Sequence, residues 1–182
     1  DCYLGQKDTL CKHMVAVSIY AVLSGKKLKP DDKEIITGPK CSGNYGELPK
    51  DELLTVKKSF TSAMRYIKPY NGPSRAWFDY QDSLIEGANR LSAIISKLPV
   101  SEQVAELLVK LLLRLDKKLC TGGVDDSDGT VGSFMRELVE VLQEYARLDD
   151  LCISAFEDVC GAQTCFDWAE PLVKIIDEGF EE

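Results

Sequence analysis

Three side chains near the start of the sequence have the types and spacing to hold a metal ion: Cys2, Cys11 and His13. Thiolate sulfur and imidazole nitrogen are the donors that tetrahedral zinc prefers. His13 is the sole histidine, two positions after Cys11, where an apolar run begins. A helix N-terminus there favours the thiolate that binds metal. Cys11 can lie in the turn before that helix while His13 sits in its first turn. On spacing alone, a buried cysteine beside a surface histidine remains an equal alternative. A catalytic zinc needs a general base, and Asp8 is the one acid near enough to consider, so that chemistry is disfavoured. A Cys-His nucleophilic pair is weaker still, because helical positions 11 and 13 point apart.

The run Asp1-Cys2 to Leu10-Cys11-Lys12-His13-Met14-Val15-Ala16-Val17 resembles the end of a SWIM-type zinc finger. That pattern is Cys-x-Cys, a variable spacer, then Cys-x-His and an apolar helix. Cys2 matches its second cysteine, Cys11 its third and His13 its histidine. The first cysteine would fall one position before Asp1, so the fourth ligand is expected just outside this chain. The resemblance covers about the first 24 residues. It implies structural Zn2+ and a nucleic-acid-binding or protein-interaction role, with no catalysis by the finger.

The bulk numbers agree with a folded, non-membrane protein: 45% hydrophobic and 29% charged residues, and no apolar run long enough to span a bilayer. No secretory leader is visible and the chain opens at Asp1, which points to a trimmed, cytoplasmic chain (nuclear if eukaryotic). The formal charge of −8 is unevenly spread. Residues 1–70 carry 12 basic and 8 acidic side chains, whereas 71–182 carry 10 and 22. A positive front can meet phosphate or an acidic partner, while the acidic rear repels nucleic acid. Lys26, Lys27 and Lys29, with Lys7 and Lys12 before them, are candidate phosphate contacts. The competing reading is a solvated helix end, where lysines complement the helix dipole. No aromatic residue interleaves this knot, so single-strand stacking is not indicated.

The elements that would position these groups are helices. An apolar helix is expected over 11–24, ended by Gly25. Residues 37–48 are rich in turn formers and read as a linker. Helical spacing then recurs over 49–68, 74–98, 101–119, 131–145, 151–159 and 166–177. Pro49, Ser74 and Asp149 are expected at helix starts, and Gly122-Gly123 ends the third helix of this series. Nothing in 49–182 alternates with period two for long enough to be a strand. The fold class expected is mainly α: a zinc-stabilised SWIM-like module (1–36), a linker loop (37–48), then an α-helical bundle or short helical-repeat-like body (49–182).

The remaining signals have plain explanations. The seven cysteines are odd in number and irregularly spaced, so reduced thiols are expected rather than a disulfide framework. Cys152, Cys160 and Cys165 have no histidine near them and read as core packing. Asp125-Asp126-Ser127-Asp128-Gly129 fails the calcium-loop register and reads as a helix-capping turn. Trp77 and Phe78 are adjacent, so one of them is expected at a contact surface. There is no phosphate loop and no Ser/His/Asp set, and no small-molecule substrate is indicated. The function expected is a non-catalytic zinc-binding protein acting on DNA or RNA through its basic front. The alternative is a protein-interaction adaptor using the helical body, with zinc purely structural.

Overall fold

The chain divides into two compact units, Asp1–Lys33 and Glu34–Glu182. The computed structural model describes residues 38–160, 162, 164 and 166–179, all in the second unit. This unit is mainly helical, in line with the periodicity of its apolar residues. In chain order come α1 (Lys50–Ala63), α2 (Trp77–Ile95), α3 (Glu102–Cys120), α4 (Thr130–Leu148), α5 (Glu157–Cys160) and α6 (Glu170–Glu178). Short 3-10 turns at Ser74–Ala76, Asp150–Phe156 and Asp167–Ala169 lead into α2, α5 and α6. No strand forms among the described residues, and the sole β-type pairing there is an isolated bridge between Tyr45 and Val100.

The helix starts are set by local chemistry. Ser101 adopts extended backbone and its Oγ accepts from Val104 N–H, capping α3. Asp149 does the same for the 3-10 turn, accepting from Leu151 N–H at 3.1 Å. Ser74 makes no capping bond; it opens a 3-10 turn and α2 proper begins at Trp77. At α4 the N-cap is Gly129, with φ +74° and no side chain to give. Asp126 supplies the missing acceptor from three residues upstream. Its Oδ1 and Oδ2 accept from Val131 and Gly132 N–H, each at 2.8 Å.

Helix α4 sits at the centre, touching α2, α3, α6 and the Asp150–Phe156 turn. Its buried residues include Val131, Phe134, Leu138, Leu142 and Tyr145, an arc wide enough to serve several neighbours. Burying each such side chain contributes about 1.5–3 kcal/mol. Tyr145 is fully buried and donates its hydroxyl to the Leu98 carbonyl at 3.2 Å. Gly87 of α2 packs against the end of α1 and the turn after it, where a Cβ would fall 3.5 Å from Ala63 O and 2.8 Å from Ile67 Cγ1. The turn after α1 is tied to the end of α3: Tyr70 N–H donates to Gly123 O, and Lys118 Nζ donates to Ile67 O.

Of residues 37–48, read from sequence as a linker loop, 38–48 are described and lie as an extended strap beside the α2–α3 connection. Lys40 N–H donates to Ser96 Oγ, Val100 N–H to Asn44 O, and Leu48 N–H to Gln103 Oε1. Local turn formers advertised a loop, whereas the bonds that hold it come from residues more than fifty positions away.

Two cysteine expectations fail. Cys120 is disulfide-bonded, while Cys41, Cys152 and Cys160 are free. Irregular spacing concealed that pairing, because tertiary proximity and not sequence interval selects disulfide partners. Cys152 is buried in the core as expected, but Cys160 is exposed. Of the adjacent aromatics, Trp77 packs edge-on against Tyr70 at 5.1 Å between ring centroids, and Phe78 is 78% exposed.

Candidate functional site

The zinc ligands expected from sequence, Cys2, Cys11 and His13, lie outside the described residues, as do Lys7, Lys12, Lys26, Lys27 and Lys29. Cys165 lies outside them too. Among the described residues, no group of three or more His, Cys, Asp or Glu side chains could hold a metal ion. The carboxylates of Asp125, Asp126 and Asp128 are taken up instead by backbone N–H and hydroxyl groups of the loop and the start of α4. Asp126 caps α4, Asp128 accepts from Thr130 N–H at 3.1 Å, and Asp125 accepts from Ser127 N–H at 3.2 Å. The capping role expected for this loop is the one it performs.

Two surfaces of the helical unit have the character of binding sites. The first is the outer face of α1. Lys50, Leu54, Lys57, Lys58, Thr61, Ser62 and Arg65 follow at intervals of three, four or one along the helix and its exit turn, so they share one face. All are exposed, Leu54 by 53%. The opposite face carries Phe60, Ala63 and Met64, which are buried. Lys57, Lys58, Thr61, Ser62 and Arg65 line a shallow groove of about 370 Å³. The ion pairs of the described residues join Glu86–Arg90, Glu106–Lys110, Lys110–Asp158, Glu144–Arg147 and Lys174–Glu178, and none involves a cation of this face. From Lys50 to Arg65 the row runs about 22 Å.

Sequence reading missed this face. The signal was present: Lys50, Lys57, Lys58 and Arg65 recur on the side opposite Phe60 and Ala63. Attention to the apolar stripe alone passed over the cationic stripe behind it.

The second surface is a cleft of about 800 Å³ along α4. Gly132, Met135, Val139 and Gln143 run along its floor, with Arg136 and Glu140 on the same side of the helix exposed at the rim. Leu119 and Val124 close one wall, and Phe166, Asp167, Trp168 and Pro171 form the other. The Trp168 indole N–H donates to the buried Asp116 carboxylate at 2.8 Å, which fixes that wall against α3. Phe166 stays 50% exposed at the rim. This cleft was not legible in sequence, since its walls are separated by some forty residues.

Comparison with known proteins finds no family model, curated protein or solved structure that matches the chain.

Proposed function

We propose that the chain is a non-catalytic, nucleic-acid-associated binding protein that meets phosphate backbone through a cationic front, with zinc as a structural element of its N-terminal segment. The observation that carries this reading is the basic face of α1, whose Lys50, Lys57, Lys58 and Arg65 form no ion pair with a described residue. A row of about 22 Å lets its four cations, Lys50, Lys57, Lys58 and Arg65, each reach a phosphate. The face has no aromatic side chain to stack on a base and no Asn or Gln to read adenine, and the contact proposed for its lysines and Arg65 is with phosphate. The chain as a whole is acidic, at −8. Screening over about 8 Å at physiological salt lets the local patch govern contact.

Lys7, Lys12, Lys26, Lys27 and Lys29 extend the same basic half of the sequence. The metal part of the proposal is supported by the donor set of Cys2, Cys11 and His13, whose sulfur and nitrogen fit tetrahedral zinc, and by the likeness to a SWIM-type finger. Zinc there would fix a segment too short to fold by burial alone.

Fluorescence anisotropy with a labelled duplex at low salt tests the first part. The full chain binds, and reversal of charge at Lys57, Lys58 and Arg65 lowers affinity by more than about tenfold, with Lys26, Lys27 and Lys29 as a second set. Absence of binding even at low salt would hand the function to protein interaction alone. Metal analysis tests the second part. The expected result is one zinc per chain, lost in Cys11→Ser and His13→Ala; a chain extended upstream of Asp1 should hold the metal more tightly if the fourth ligand lies there.

A further inference from the structure

The cleft along α4 has no part in the phosphate contact proposed above. We propose that it receives an amphipathic helix of a partner protein, apolar on the inserted side and basic along its flanks. Three features select that occupant. The first is shape. From Gly132 to Gln143 the floor runs about 16 Å, the length of three helical turns. A groove of that length suits anchors at i, i+3 or i+4, and i+7 of an inserted helix.

The second is chemistry. Met135 and Val139 give an apolar floor, and the exposed ring of Phe166 offers a wall that a partner side chain can cover. Methionine and phenylalanine of this kind adapt to an incoming apolar face. A small ligand would instead require fixed polar groups to orient it. Of the charged groups in the lining, Asp126 is committed to the N–H groups of Val131 and Gly132. The others, Arg136, Glu140 and Asp167, are exposed at the edge, where they suit the flanks of a protein segment better than an enclosed small molecule.

The third is charge. Glu140 and Asp167 stand exposed on the rim, and neither forms an ion pair with a described residue. The lone cation of the lining, Arg136, donates to Ser133 Oγ at 3.0 Å. Arg136 keeps its charge, but Glu140 and Asp167 outnumber it, so the rim is acidic on balance, within a region, 71–182, where acidic residues outnumber basic ones by 22 to 10. Complementarity calls for lysine or arginine on the partner.

The probe is a synthetic peptide of about eighteen residues, with leucines at helical spacing and lysines on the flanks. It is titrated into the full chain and followed by anisotropy, with methyl NMR of the methionines for location. Met135 lines the cleft and Met64 does not. Expected are binding, a shift of the Met135 methyl without one at Met64, and at least a tenfold loss of affinity in the double variant Glu140→Lys/Asp167→Lys and in Phe166→Asp. These positions are exposed, and circular dichroism verifies that the variants fold. Reversal of Lys57, Lys58 and Arg65 should leave peptide binding unchanged, so failure of the phosphate reading and failure of this one are separable. The proposal is overturned if a glutamate-flanked peptide binds equally well or the rim variants bind like the parent chain. It is also overturned if the Met135 methyl responds to an apolar dye and not to the peptide.

Discussion

At the scale of single residues, the free cysteines are sorted by burial. The Cys152 thiol is fully buried, and desolvation pushes its pKa from 9.0 up to about 12. Burial raises the neighbouring Tyr145 hydroxyl as well. The folded state therefore keeps protons that the unfolded chain gives up. Stability is whole below about pH 9 and drains as pH climbs through about 12. Alkylation of the native chain should label exposed Cys160 first and partly covered Cys41 more slowly, sparing Cys152 until unfolding. Urea midpoints should fall between about pH 8 and pH 10.5, and fall less in Cys152→Ala. Prompt labelling of Cys152, or an undiminished pH dependence in that variant, would contradict this account. Cysteine is also where sequence reading failed most plainly. Cys152 and Cys160 share the same apolar-looking stretch, yet one is buried and the other faces solvent. Neighbouring residues in sequence do not set that difference; the tertiary partners of α5 do.

At the scale of elements, periodicity was mostly enough. Five of the six helical segments expected over 49–177 form as α-helices with shifted ends, a 3-10 turn taking over the start at Ser74–Ala76 and Asp167–Ala169, whereas 151–159 is mostly the 3-10 turn Asp150–Phe156 with α-helix only at Glu157–Cys160. Caps were legible only in part: Asp149 caps its turn as expected, Ser74 makes no capping bond, and neither Ser101 at α3 nor the remote Asp126, as the acid of its loop that caps α4, was foreseen. That remote cap makes a direct test. Asp126→Ala removes both acceptors and should cost about 1–2 kcal/mol in urea unfolding. Asp126→Asn keeps one acceptor and should cost clearly less. Burial pushes this carboxyl above its usual range, although the two N–H bonds pull against that shift. Equal losses in the two variants would mean that charge and not hydrogen-bond acceptance holds the start of α4. The Asp126 variants should also weaken peptide binding, because the carboxylate aligns the floor of the cleft.

At the scale of the whole molecule, the chain puts two unlike surfaces on one helical unit. Helix α1 turns cations outward at its basic front, and α4 with the Phe166–Pro171 wall presents an apolar cleft with an acidic rim. No helix of the described residues is long and apolar enough to cross a membrane. The charge asymmetry was visible in the sequence, and with it the expectation of a phosphate-facing front. That expectation named Lys7, Lys12, Lys26, Lys27 and Lys29, outside the described residues; the cationic face of α1 became visible only once burial separated the two sides of that helix. The cleft required the fold, because α4 supplies the floor while α3 and the Phe166–Pro171 segment supply the walls. The measurement that bears most directly on the phosphate reading is the salt dependence of duplex DNA affinity. Each cation of α1 that neutralises a phosphate should add about 0.9 to the magnitude of the log–log slope. Lys57→Gln, Lys58→Gln and Arg65→Gln should each flatten it by up to about that amount, with the loss accumulating in the triple variant. A parent slope near zero, or a triple variant that retains the parent slope, would contradict the proposal that α1 carries the contact.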